Sequence, residues 1–138
     1  MDAAQSYRKH AISTQDSGKL IVMLYDGAVK FLDIAQEKLR DGDFESKGIY
    51  VGKAQDIVAE LNNCLDLESG GELGQNLQAL YNFIHRHLSE ANAERDAQKI
   101  RECREIMVEL RDGWKQIVDG THAEGNENEF GRLEGEQV

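Results

Sequence analysis

The 138-residue chain contains no proline, only two cysteines, and aromatic side chains at 7% of its positions. Without proline there are no rigid Pro-rich linkers, and the shortage of aromatics argues against sandwiches and barrels, which leaves long helices as the consistent composition. Cys64 and Cys103 sit 39 positions apart inside apolar helical patterns. They read as small core residues in a reducing compartment, not as a disulfide framework. Positive charge is also scarce, since 16 Lys and Arg against 26 Asp and Glu leave a net charge of −10. Counterion release from a phosphate backbone cannot drive binding by such a chain, which sets aside nucleic acid and anionic membrane as partners. No run approaches the ~18 continuous apolar residues that cross a bilayer, and the N-terminal residues lack a signal-peptide core, so a single cytoplasmic domain without membrane insertion is expected.

What is present is helical periodicity. Residues 1–16 are polar with isolated apolar positions at Tyr7, Ala11 and Ile12, a pattern too sparse for a core helix and read as a mobile arm. Ser17 offers a cap, and Leu20, Leu24, Ala28, Phe31, Ala35 and Leu39 then recur every three or four residues. Asp41-Gly42-Asp43 ends this first helix, with the glycine closing it and an aspartate capping the next. A second helix is expected over about 44–67, with Tyr50, Ala54, Ile57, Leu61, Cys64 and Leu65 inward; its Gly48 and Gly52 need a close neighbour or an open space beside them. A third runs over about 72–94 through Leu73, Leu77, Leu80, Tyr81, Ile84, Leu88 and Ala91. Asp96 starts a fourth, in which Ile100, Cys103, Met107, Leu110, Trp114 and Ile117 form the most regular heptad of the chain. Short connections make neighbouring helices antiparallel. The expected fold is all-α, an antiparallel four-helix bundle over residues 1–119 including the arm, followed by a disordered acidic tail at 120–138, where five acids stand against one arginine.

The same residues form none of the familiar catalytic patterns. Di-iron bundles need Glu-x-x-His pairs, and none occurs. His85 and His87 lie two residues apart, so their rings point roughly 200° apart on a helix and cannot share a metal. Calcium-loop spacing fails from both Asp41 and Asp66. The glycines at 70, 71 and 74 fit helix punctuation better than a phosphate cradle, because no strand precedes them and Glu72 lies among them. A phosphoryl-accepting histidine wants a glycine soon afterwards, which His85-Arg86-His87-Leu88-Ser89 lacks. No enzyme, metal or cofactor is expected, and a binding protein is.

The stretch LIVMLYDGAVKFLDIA, residues 20–35, interrupts a strong apolar pattern with Asp26-Gly27, two poor helix-interior residues. Leu20, Ile21, Met23, Leu24, Tyr25, Asp26, Gly27 and Ala28 resemble the Leu-Ile-x-Met-Leu-Tyr-Asp-Gly-Ala signature of the FliS family of flagellar secretion chaperones. The similarity continues at Lys47-Gly48, Lys53-Ala54, Leu65-Asp66, Gly70-Gly71-Glu72-Leu73, Ala91-Asn92 and Leu110-Arg111 with Trp114. Ser17-Gly18 stands where the family often has proline, and the acidic tail is longer than a minimal member needs. The resemblance implies a cytoplasmic chaperone that binds the disordered C-terminal region of flagellin, prevents premature polymerisation and delivers the subunit to the flagellar export gate.

Candidate partner-binding residues follow from that resemblance, each beside a plainer structural role. Tyr7, with Ile12 as its apolar anchor, is the candidate for export-gate docking or for folding back onto the bundle. Tyr25, Asp26 and Gly27 shape a cargo groove or pack the first helix, with Asp26 bonding to a nearby backbone group or tyrosine hydroxyl. Ile57, Leu77, Tyr81, Leu88 and Met107 line the groove or belong to the core. The competing expectation is a self-associating structural bundle, in which the fourth-helix heptad forms a homodimer seam and there is no flagellin cargo.

Overall fold

A computed structural model describes residues 16–121, and the arm and tail expected at the two ends lie outside these residues apart from their innermost positions. Four helices follow one another: α1 (Asp16–Arg40), α2 (Phe44–Asn63), α3 (Gly71–Glu94) and α4 (Ala97–Thr121). Each is joined to the next by a short connection, so the chain runs up and down in an antiparallel bundle. α1 lies between α2 and α4, α3 completes the ring between the same two helices, and α1 packs on its neighbours more closely than α3 does.

The helices make one core; on α2 Val51 and Val58 are buried beside the expected Ala54 and Leu61, while the expected Tyr50 and Ile57 pack only partly against it. Tyr25, Ala28, Leu32 and Ala35 of α1 meet Val51, Ala54, Val58 and Leu61 of α2, Ile84, Leu88 and Ala91 of α3, and Ile100, Cys103 and Met107 of α4. The heptad of α4 is thereby used inside the chain's own bundle, and its three fully buried members offer no seam to a second copy. Two glycines allow the helices to approach. A Cβ on Gly27 would lie 3.1 Å from Ile57 Cδ1, and one on Gly18 would lie 2.6 Å from Val118 Cγ2. Gly27 thus brings α1 onto α2, and Gly18 brings its first turn onto the last turns of α4.

The turns follow the local chemistry. At the end of α1 the Gly42 N–H donates to Leu39 O and the Asp43 N–H to Lys38 O, the paired bonds of a Schellman motif, with Gly42 at φ 78°. Asp43 is then the N-cap of α2, its carboxylate accepting the Ser46 N–H at 3.1 Å. Asp96 caps α4 in the same way, accepting the N–H groups of Gln98 and Lys99. Arg95 just before it adopts the left-handed conformation (φ 55°), and its guanidinium stands 3.8 Å over the Phe44 ring at the start of α2. That cation–π contact offsets a conformation that a non-glycine residue adopts at some cost.

Two boundaries differ from the sequence expectation. α1 already begins at Asp16, so Ser17 lies inside the helix instead of capping it. α2 stops at Asn63 and does not reach Leu67. The Asp66 carboxylate accepts the backbone N–H groups of Glu68 and Ser69 and bonds the Ser69 hydroxyl, giving the backbone a turn in place of further helix. Leu65 still packs on the core from this loop, while Cys64 is only partly buried.

Candidate binding surface

The sequence-derived candidates fall into three places. Tyr25, Leu77, Tyr81, Leu88 and Met107 are buried in the core and present almost no surface in this state. Gly27 and Ile57 meet at the α1–α2 seam, and Asp26 is exposed beside α4. Tyr7 and Ile12 lie outside the described residues.

Within the core, polar groups join opposite helices. The Tyr25 and Tyr81 hydroxyls hydrogen-bond across the bundle, linking α1 to α3. Tyr25 is also hydrogen-bonded to Trp114, whose indole N–H is the only donor it has, so α4 joins the same network. Burial raises the pKa of both phenols, for Tyr81 with the Tyr25 hydroxyl as the next cause, and keeps them neutral. Asp26 does not bond a tyrosine hydroxyl, as the sequence suggested. Its carboxylate faces outward and pairs with Arg111 of α4 at 3.1 Å. Two turns along, Asp33 pairs with Arg104 at 2.7 Å, so the α1–α4 edge carries two surface ion pairs, each of small energetic weight.

The other two seams of α3 differ in chemistry. On the α2 side there is a ladder of polar contacts. Lys47 Nζ donates to the Asn92 carbonyl at 2.8 Å and to its Oδ1 at 2.6 Å; Gln55 Nε2 donates to His85 O and Ser89 Oγ; Asn62 Nδ2 donates to Asn82 Oδ1. Lys47 is only 3% exposed, and burial, followed by the Arg95 charge, lowers the pKa of its ammonium. On the α4 side, His87 Nε2 lies 2.8 Å from Glu102 and Lys99 reaches Glu90 and Glu94 at 3.0 and 3.1 Å.

Large apolar side chains also remain in water. Met23 is 65% exposed on α1 and Ile49 is 53% exposed on α2, with Phe83 and Leu73 half-exposed on α3. Sequence periodicity missed Met23, Ile49 and Phe83, because it identifies inward faces, and an outward apolar residue is the exception that no stripe marks; Leu73, expected on the inward stripe of α3, is instead exposed at the start of that helix. Met23 stood inside the family signature and Leu73 inside the Gly-Gly-Glu-Leu match. Phe83 had no signal beyond being an aromatic on the face opposite Tyr81.

Little here suits catalysis. Burial pushes the Cys103 thiol up to about 12, an inert group whose Sγ lies 3.9 Å from Ile84 O. Among the described residues no group of three or more His, Cys, Asp or Glu side chains is placed to hold a metal ion, and no helix is long and apolar enough to cross a membrane. Fold and surface together define an all-helical bundle with a sealed core and apolar side chains left on its outside, a form suited to binding other chains.

Comparison with known proteins makes the class specific. The family model described as flagellar protein FliS matches residues 1–121. The flagellar secretion chaperone FliS of Salmonella typhimurium is 38% identical over 115 residues, covering 83% of this chain and 85% of that protein. The corresponding chaperone of Vibrio cholerae is 34% identical over 122 residues, covering 86% and 90%, and that of Bacillus subtilis 33% over 113 residues, covering 82% and 84%. The chain belongs to the FliS family of flagellar secretion chaperones.

Proposed function

We propose that this chaperone binds the disordered C-terminal region of flagellin in the cytoplasm, keeps it from polymerising early and delivers it to the flagellar export gate. The observation that carries this reading is the exposed apolar side chains on rigid helices, above all Met23 and Ile49. A folded monomer gains nothing from them in water, and an amphipathic segment laid along the bundle covers them. Ordering such a segment costs roughly 2–5 kcal/mol, which lets a wide contact surface still release its cargo.

Five of the candidate residues act in this account by supporting the groove from beneath. Tyr25, Leu77, Tyr81, Leu88 and Met107 fix the spacing of the helices whose outer faces touch cargo, while Gly27 and Ile57 set the floor of the α1–α2 seam and Asp26 stands on the α1–α4 edge. Tyr7 and Ile12 occupy the groove in the free chaperone and leave it when cargo arrives, after which Tyr7 meets the export gate. The test is co-elution of the full chain with a flagellin C-terminal segment, repeated with residues 1–15 deleted. A one-to-one complex is expected, formed more tightly by the truncated chain. If both forms elute free of the segment, flagellin is not the cargo.

A further inference from the structure

We propose that the chain's own residues 122–138 dock back on the outer face of the α1–α2 seam, with Phe130 beside Met23 and the flanking glutamates on the lysines around it. Contacts across the seam define that face. The Phe31 and Tyr50 rings lie 5.9 Å apart, Lys53 Nζ stands 5.7 Å over Phe31, and Gly27 lets Ile57 close in beside them. On the outward turns above this floor, Met23 and Ile49 are the two most exposed large apolar side chains of the described residues. The face is also a basic stretch of an acidic chain. Lys19, Lys30 and Lys53 are exposed and take part in no ion pair among the described residues. The neighbouring acids of α1, Asp26 and Asp33, are taken up at the α4 edge by Arg111 and Arg104. Glu37 on α1, and Glu45 and Asp56 on α2, mark where the basic stretch stops.

Charge and reach select the occupant. Residues 122–138 carry Glu124, Glu127, Glu129, Glu134 and Glu136 against Arg132, with Phe130 and Leu133 among them. Most of the surface of a chain at −10 repels such a segment, whereas these lysines attract it. The contact of Gly18 with Val118 sets the last turns of α4 beside the first turn of α1. From there Met23 lies about 8 Å and Lys30 about 18 Å along α1, while Phe130, nine residues past Thr121, reaches up to about 30 Å. Tethering raises the local concentration of the segment, so a short anchor around Phe130 is enough. Residues 1–15 hold Arg8 and Lys9 against Asp2, and a second copy would set lysines against lysines, so neither complements this face. The docking does not depend on the export reading; within that reading, tail and cargo compete for Met23 and Ile49.

The only methionines are Met1, Met23 and Met107, so methyl-labelled methionine reads Met23 in the full chain by NMR, with the buried Met107 as a control for the fold. At low salt a nuclear Overhauser contact is expected between the Met23 methyl and the Phe130 ring, independent of protein concentration and weakening as salt rises. Phe130→Ala removes it, and E127K/E129K moves the Met23 methyl to the position it has in Phe130→Ala, while Met107 stays in place. Both variants bind a flagellin C-terminal segment about threefold more tightly than the native chain, because the face is no longer partly self-occupied. A Met23 methyl that is the same in the native chain and both variants overturns the inference, and flagellin binding by all three then leaves the export reading standing. A contact that fades on dilution also overturns it, by assigning the face to a second copy. So does a Met23 methyl that responds to deletion of residues 1–15 and not to Phe130→Ala, which assigns the face to the arm. If the Met23–Phe130 contact is present and no form binds the flagellin segment, the docking holds and the export reading falls.

Discussion

Glycine occupies two kinds of place in this bundle, and substitution separates them. At Gly52 an added Cβ meets nothing within 4 Å, so Gly52→Ala gains helix propensity and is expected to raise stability by about 1 kcal/mol in urea unfolding. At Gly18 the same Cβ lies 2.6 Å from Val118 Cγ2, on a β-branched side chain that cannot swing aside. Overpacking of this kind costs about 1–3 kcal/mol, which outweighs the propensity gain, so Gly18→Ala is expected to lower the urea midpoint. The tyrosine pair makes a second prediction. Tyr25→Phe or Tyr81→Phe leaves a buried hydroxyl short of its partner and costs about 1–3 kcal/mol, whereas the double substitution costs less than the two together, as a double-mutant cycle will show. Sequence spacing placed both tyrosines on inward faces but left open whether they line a groove or pack the core; only the fold brings residues 56 positions apart into one hydrogen bond.

At the scale of the elements, periodicity carried the reading far and local turn chemistry limited it. Most of the inward stripes of α1, α3 and α4, the closure at Gly42 and the caps at Asp43 and Asp96 were legible because each depends on residues within one or two turns, whereas on α2 two apolar rows run side by side and the buried Val51 and Val58 were passed over for Tyr50 and Ile57. The end of α2 was not, because Leu65 continues the apolar spacing from a loop held by the Asp66 side chain. α1, the most closely packed helix, is expected to exchange its interior amide hydrogens more slowly than α3, measured by native-state hydrogen exchange. Equal protection would show that α3 does not open separately.

Acid acts on these same elements. Asp43 and Asp66 are held below their ordinary 3.8 by hydrogen bonds from Ser46 and Ser69, and Glu90 and Glu102 below 4.5 by bonds from Lys99 and His87. A lowered folded-state value means that the unfolded chain binds protons first, so the contribution is full above the ordinary carboxylate range and is lost as pH falls through the lowered values. Stability is therefore expected to fall below about pH 4.5. Asp43→Asn keeps a capping side chain without a titratable proton and makes that decline shallower, read as urea midpoints across pH.

For the molecule as a whole, a net charge of −10 sets a repulsion between copies against the clustering of exposed Met23, Ile49 and Phe83, while the sealed core holds the helices that present those side chains. Composition argued against nucleic acid and the signature residues pointed to the family, but the outward apolar residues became visible only once the inward stripes had been placed. Calorimetric titration of a flagellin C-terminal segment into the intact chain, followed by far-ultraviolet circular dichroism, tests the central claim most directly. Heat saturating at one segment per chain, a negative heat-capacity change from apolar burial and a gain in helicity are the expected results. A flat titration against a chain that stays fully helical would contradict it.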